Sequence, residues 1–290
     1  LMTLAIKSVI LNRGVSHLIF PDEVQTLPAK ESAQAGSPKG RLTPRNIAPP
    51  EQALDEAVAM LRAAKRPVII VGHGARFDMD VITVLAEELN CPVITTFKGK
   101  GLISDRHPLG GGVLGRSGTP IASWCMNEFD VLLVFGASFS NHTGITPKKP
   151  TIQVDFDPMI LGKFHAIDVP VWGEIGVTAR LLKDALSGEH NAIDQRPDLK
   201  ERWAIWRTEK EGRMGDDQGK GINSASVFAA MTEHVPEDAI ICVDVGNNTY
   251  SFGRYFECTR QAVLMSGYLG SIGFAYPAAL GAWAATQEDD

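Results

Sequence analysis

From Pro67 onward the chain alternates two kinds of segment, and that alternation restricts its fold more than any other feature. Short, largely apolar runs occur at Val68 to Val71, Pro92 to Thr95, Val131 to Phe135, Ile152 to Asp155 and Val169 to Trp172. Between them lie stretches with helical spacing, at Val81 to Leu89 and Pro120 to Asn127, and a last one carrying Ile175, Thr178, Leu181, Leu182 and Ala185 on one face, with Gly188 at its end. A strand with one wet face alternates polar and apolar residues, whereas strands apolar at nearly every position are covered on both faces. The pattern predicts an α/β fold: a Rossmann-like central domain over residues 51–190, with a six-stranded parallel sheet and helices on both faces.

The flanks read differently. Leu1-Met2 opens in what reads as a helix in progress, and His17-Leu18-Ile19-Phe20 reads as a short strand stopped by Pro21. Residues 29–50 are rich in Pro, Ser, Gly, Lys and Ala with no apolar period, which is linker composition. Pro49-Pro50 then lead into a helix with Leu54, Ala57, Val58 and Leu61 inward, ended by Lys65-Arg66-Pro67. Beyond the sheet, Arg196 to Met214 is a charged helix with Leu199, Trp203 and Trp206 along one edge, and Gly215 to Gly221 is a joint. Residues 191–222 thus connect to a second α/β domain over 223–290. There Ser224 is expected to cap a helix with Val227, Phe228 and Met231 inward, before a strand at Ala239 to Val243 and a turn at Gly246.

Composition narrows the partners. The 290 residues are 44% hydrophobic and 21% charged with a net charge of −6, so there is no basic stripe for nucleic acid or an anionic membrane. No apolar run reaches the roughly 18–20 residues that span a bilayer, and no signal peptide is visible, so a cytoplasmic protein is expected. Cys91, Cys125, Cys242 and Cys258 are widely spaced and read as reduced core thiols.

Three motifs carry chemistry. Val71-Gly72-His73-Gly74-Ala75-Arg76 ends the first strand of the sheet in a Gly-x-Gly turn, where backbone N–H groups meet phosphates in such folds and Arg76 is placed to add a contact. The competing reading is a plain tight turn. Asp244-Val245-Gly246-Asn247-Asn248-Thr249 follows a strand, so its amides lie at the edge where anions bind, or else form an Asn-capped turn. Gly267 to Gly273, with an apolar wedge at Ile272 and a small-residue helix after it, lets a cofactor lie against backbone because glycine lacks a Cβ. His73, His107, His142 and His165 are conceivable bases without an identified partner, and no metal-ligand spacing is present.

The run Gly267-Tyr268-Leu269-Gly270-Ser271-Ile272-Gly273-Phe274-Ala275-Tyr276-Pro277 resembles the thiamine-diphosphate-binding segment of the family containing pyruvate oxidase, acetolactate synthase and pyruvate decarboxylase. Further segments resemble that family in order. Thr95 to Gly101, with Lys98 and Gly99, looks like its Gly-Lys-Gly loop, and Gly136 to Gly144, with Ser138 and Phe139, looks like the loop along the flavin. Val154-Asp155-Phe156-Asp157-Pro158 resembles its Asp-x-Asp-Pro segment. One departure stands at Ser140-Asn141-His142, where flavin-bearing acetolactate synthases usually carry Asp-Asp-Arg.

The resemblance implies a fragment: residues 1–28 end a pyrimidine-binding domain, the central domain follows, and 223–290 start a diphosphate-binding domain. It implies thiamine diphosphate held by Gly246, Asn247, Asn248, Gly270, Ser271 and Ile272, with Ile272 propping its bent form and the Gly270 carbonyl meeting the pyrimidine. In the central domain it implies FAD, with ADP, coenzyme A or an empty site as alternatives, across Gly72, His73, Gly74, Arg76, Lys98, Gly99, Ser138, Phe139 and Asp155. The implied activity is that of a thiamine-diphosphate-dependent enzyme, in which the cofactor ylid attacks a 2-oxo acid with loss of carbon dioxide. The product is then oxidised, transferred or protonated. Mg2+ is expected from a Gly-Asp-Gly segment outside this chain, and the activating glutamate from a neighbouring subunit, so a homodimer or homotetramer is implied. Glu23 and Glu31 lie too late to take that role, and no residue here is assigned to catalysis or to metal. The rival readings are a nucleotide-binding regulatory module and a catalytically degenerate relative.

Overall fold

The computed structural model describes residues 1–29, 32, 36–140, 143–216, 219, 221–267 and 269–287. They form two compact units, Leu1–Ile47 and Ala48–Asp290. The first holds helix α1 (Met2–Asn12), which ends at Arg13 in the left-handed conformation, and a single turn α2 (Asp22–Gln25) with two acidic residues in its first turn. The expected strand at His17–Phe20 does not form. A strand needs a neighbour for its N–H and C=O groups, none is present among the described residues of this unit, and Ile19 stays 81% exposed.

The second unit begins with α3 (Glu51–Ala63), which buries Ala57, Val58 and Leu61 as their spacing demands. It continues through β1 (Pro67–Val71), α4 (Met79–Glu88), β2 (Val93–Thr95), β3 (Gly110–Val113), α5 (Pro120–Glu128), β4 (Val131–Phe135), β5 (Thr151–Asp155), β6 (Val169–Trp172) and α6 (Ile175–Leu186). The six strands are parallel in the order β3-β2-β1-β4-β5-β6. That is the order of dinucleotide-binding folds, and it reverses direction between β1 and β4, which opens a crevice at their carboxyl ends. Every residue of β1 and β4 is buried, as strands covered on both faces require.

α7 (Arg196–Met214) lies against this layer with Leu199, Trp203 and Trp206 buried, and the Trp203 indole donates to the Gly110 carbonyl at 2.7 Å. Next come α8 (Ser224–His234), β7 (Ile240–Val243), α9 (Asn247–Tyr255), β8 (Ala262–Met265) and α10 (Ala275–Thr286). β7 and β8 form a parallel pair over a small core of Phe228, Val243, Phe252, Phe256 and Cys258. Two details differ from expectation. Asn223, not Ser224, caps α8, its side chain accepting from the Ser226 amide at 2.9 Å, and this shift of the helix start leaves Val227 42% exposed. The joint at 215–221 lies partly outside the described residues.

Two buried ion clusters tie this small layer to the sheet domain. Lys100 donates to Asp105 at 3.2 Å and to the Phe256 carbonyl at 2.7 Å, and Asp105 also accepts from the Cys258 amide at 2.8 Å. Glu257 accepts from Lys210 at 2.7 Å and from Arg207 at 2.9 Å. All four cysteines are free thiols. Cys91, Cys125 and Cys258 are buried and Cys242 is half-buried, and burial pushes the Cys125 thiol up to about 12 and that of Cys258 to about 11.

Candidate functional site

The carboxyl ends of β2, β1, β4 and β5 bring together the central-domain candidates. After β1 the chain turns through a short 3-10 segment, His73–Ala75, and after β2 through another, Phe97–Gly99. Gly72 and Gly74 meet Gly136 directly. A Cβ on Gly72 would lie 2.3 Å from the Gly136 carbonyl oxygen, one on Gly74 2.8 Å from the Gly136 Cα, and the Gly74 amide donates to the Gly136 carbonyl at 3.0 Å. Glycine is needed here because two backbones touch where the strand order reverses. The turn thus builds the crevice floor before any phosphate is considered.

Charge gathers above that floor. His73 lies close enough to Arg76 and Lys98 to feel both: burial first, then those two cations, lower its pKa below the usual imidazole value. The ring is therefore neutral at neutral pH, and Arg76 and Lys98 supply the positive charge. Arg76 also donates to the His73 carbonyl at 2.9 Å and stacks on Phe77, with its guanidinium 4.3 Å from the ring centre. The Thr95 hydroxyl at the end of β2 is buried and has no hydrogen-bond partner among the described residues. Asp155 ends β5; burial raises its pKa, and its carboxylate accepts from the Asp157 amide at 2.9 Å.

The Phe139 side chain is 5% exposed, turned into the core with its ring 4.9 Å from that of His165, and Ser138 beside it is exposed. Gln153 fixes this loop, donating to the Ala137 carbonyl at 3.0 Å and accepting from the Gly162 amide at 2.9 Å. Asn141 and His142 lie outside the described residues. His107 accepts from the Leu109 amide at 3.1 Å and sits 3.6 Å from Glu87, which gives it a structural partner.

The second candidate lies at the carboxyl end of β7. Gly246, at φ 151°, starts α9 without a side-chain cap, and no side chain among the described residues accepts from the Asn247 or Asn248 amides. Open N–H groups at a helix start attract anions. Opposite them runs the loop to α10, with Gly270 and Gly273 at φ 68° and 90° and Ile272 84% exposed between them. Asp244, which opens that motif in the sequence but has no role assigned to it there, joins the two: its carboxylate accepts from the Gly273 amide at 2.9 Å. Lys98 links this edge to the first, since a Cβ on Gly267 would lie 2.3 Å from its Cγ. Among the described residues no group of three or more His, Cys, Asp or Glu is placed to hold a metal, and no helix is long and apolar enough to cross a membrane.

Beside the dinucleotide-type sheet, the open start of α9 and the Gly270–Gly273 loop stands a match of this chain to the thiamine pyrophosphate enzyme family. Residues 54–182 match that family's central domain. Among particular relatives, it is 31% identical over 291 aligned positions to a probable acetolactate synthase large subunit of Methanococcus aeolicus, covering 93% of this chain and 48% of the relative. It is 31% identical over 255 positions to the acetolactate synthase large subunit of Parasynechococcus marenigrum, covering 84% and 41%. To the acetolactate synthase isozyme 3 large subunit of Escherichia coli it is 28% identical over 246 positions, covering 81% and 43%. The chain spans about half the length of the curated relatives it matches.

Proposed function

We propose that the protein carrying this chain is a thiamine-diphosphate-dependent enzyme of the acetolactate synthase or pyruvate oxidase type that decarboxylates a 2-oxo acid. The observation that carries the reading is the pairing, at one sheet edge, of the uncapped start of α9 with the Gly270–Gly273 loop and its exposed Ile272. The cofactor fits: the Asn247 and Asn248 amides would hold its diphosphate, and Ile272 would hold its rings bent. When bound, thiamine diphosphate supplies a nucleophilic carbon that adds to the keto group and accepts the electrons left as carbon dioxide departs. This chain's part is to bind, orient and shape; Mg2+ and the activating glutamate are assigned to other segments. Residues 1–28 and 223–290 are read as parts of the flanking pyrimidine- and diphosphate-binding domains, and the active enzyme as a cytoplasmic homodimer or homotetramer with its active site between subunits.

The crevice between β1 and β4 is read as the seat of an adenine dinucleotide, FAD first. Arg76 and Lys98 supply cations for a diphosphate, the Thr95 hydroxyl, without a partner among the described residues, a polar group, and Asp155 an acceptor for ribose hydroxyls. This chain alone is expected to be inactive, and the purified full-length protein that carries it to release carbon dioxide from pyruvate only with thiamine diphosphate and Mg2+. Failure with pyruvate and a panel of other 2-oxo acids overturns the catalytic reading. Added FAD is expected to raise the melting temperature by mass action, and Arg76→Ala to weaken that rise about tenfold in affinity. No thermal shift with FAD, ADP or coenzyme A leaves the Gly72–Gly74 turn purely structural.

A further inference from the structure

Asp244 directly follows β7, and this one residue reaches three segments. Its Oδ1 accepts from the amides of Val245 at 2.7 Å and Gly273 at 2.9 Å, and its Oδ2 from Ala275 at 3.4 Å. Its main-chain carbonyl accepts from the Thr249 hydroxyl and, at 3.4 Å, from the Asn248 side chain. Strand end, first turn of α9 and the approach to α10 are therefore held at a single point.

The loop from Gly270 to Gly273 has little else to hold it. Gly270 and Gly273 have positive φ, Leu269 and Ile272 are more than four-fifths exposed, and among the described residues the other bond to this loop is Ser271 N–H to the Ser266 hydroxyl at 3.2 Å. Glycine pairs of this kind admit many backbone shapes. A carboxylate bonded to Gly273 and Ala275 selects one of them. It also occupies the start of α10, where the helix would otherwise attract an anion, while the start of α9 stays open. The backbone donors, Val245 first, hold its pKa below the usual carboxylate range, so the clamp is charged at neutral pH.

We propose that Asp244 is a positioning residue: its carboxylate fixes the Gly270–Gly273 loop so that Ile272 stands at a set height, and closes α10 to the cofactor's diphosphate so that it is directed to α9. This rests on the reading of that edge as the thiamine diphosphate site. The test compares the wild type with Asp244→Ala and Asp244→Asn by amide hydrogen exchange on the cofactor-free protein, thiamine diphosphate affinity in Mg2+, and steady-state kinetics. In Asp244→Ala, exchange at Gly273 and Ala275 is expected to accelerate at least tenfold. Its kcat should fall about 10- to 100-fold with KM for the 2-oxo acid nearly unchanged, because misplacement costs positioning more than binding. Asp244→Asn keeps one carbonyl acceptor and should recover part of the protection and of kcat.

Exchange and kcat equal to wild type in a folded Asp244→Ala protein overturn the proposal. Should Asp244→Ala fail to fold, Asp244→Asn decides: protection and kcat both at wild-type level overturn it, and intermediate values support it. A wild-type protein that binds no thiamine diphosphate overturns the functional reading instead, and with it the directing role toward α9, while accelerated exchange in Asp244→Ala still reports the clamp.

Discussion

Gly72 has no room for a side chain, and the reason is another backbone. Gly72→Ala would place a methyl 2.3 Å from the Gly136 carbonyl oxygen, with both strands pinned in a fully buried sheet, so neither can retreat. Such overpacking is expected to cost about 3 kcal/mol, read from the shift of the urea midpoint. Ile272 is its opposite. At 84% exposure its side chain contributes almost nothing to folding, so Ile272→Ala should leave the melting temperature within about one degree. It should nevertheless lower kcat about 10- to 100-fold while cofactor affinity falls less, and Leu or Met should retain most of the activity. A large change in stability with unchanged kcat would show that Ile272 packs and does not position.

Elements whose side chains declare a period were legible: α3, β1, β4, β5, β6, α6 and α7 stand within a residue or two of where spacing placed them. β3 was not, because Gly110-Gly111-Gly112 carries no side chains to alternate and holds its place through the Trp203 bond and close contacts with Ile94 and Thr119. α9 was hidden as well, since its first residues, Asn-Asn-Thr, are those of a turn, and its anchors come late in it: Phe252 is buried, Arg254 donates to the Gly118 carbonyl and Tyr255 stacks on Trp206. The candidate sites were legible as loops at strand ends. Asp244 was not, because its partner Gly273 lies 29 residues away and only the fold brings them together.

The ion cluster at Glu257 acts on the same scale of elements, joining α7 to the segment after α9. Burial opposes its ionisation, but the hydrogen bonds from Arg207 and Lys210 win and depress its pKa below the ordinary glutamate value of 4.5. A carboxyl depressed on folding gives stability that is complete above its unfolded pKa and is lost as pH falls through the folded one. Wild-type stability should therefore decline below about pH 4.5, with Glu257 part of the decline. Glu257→Gln should lose about 3 kcal/mol at pH 7, since it leaves Lys210 buried with its charge unmatched, and should show a shallower acid limb in urea titrations.

At the scale of the whole second unit, the two candidate edges are joined through one side chain. Lys98 rises from the turn after β2, stands beside His73, and lays its stem over Gly267 at the head of the glycine run. Positions 98 and 267 therefore form a single unit of variation. A side chain at 267 is admitted only when residue 98 shortens or swings out of its place, and either change alters the charge beside the β1 crevice. A library randomised at both positions and sorted for folded protein should return bulk at 267 paired with a small residue at 98. Adaptation at either edge is thus chained to the other, and the lineage that alters one must renegotiate both.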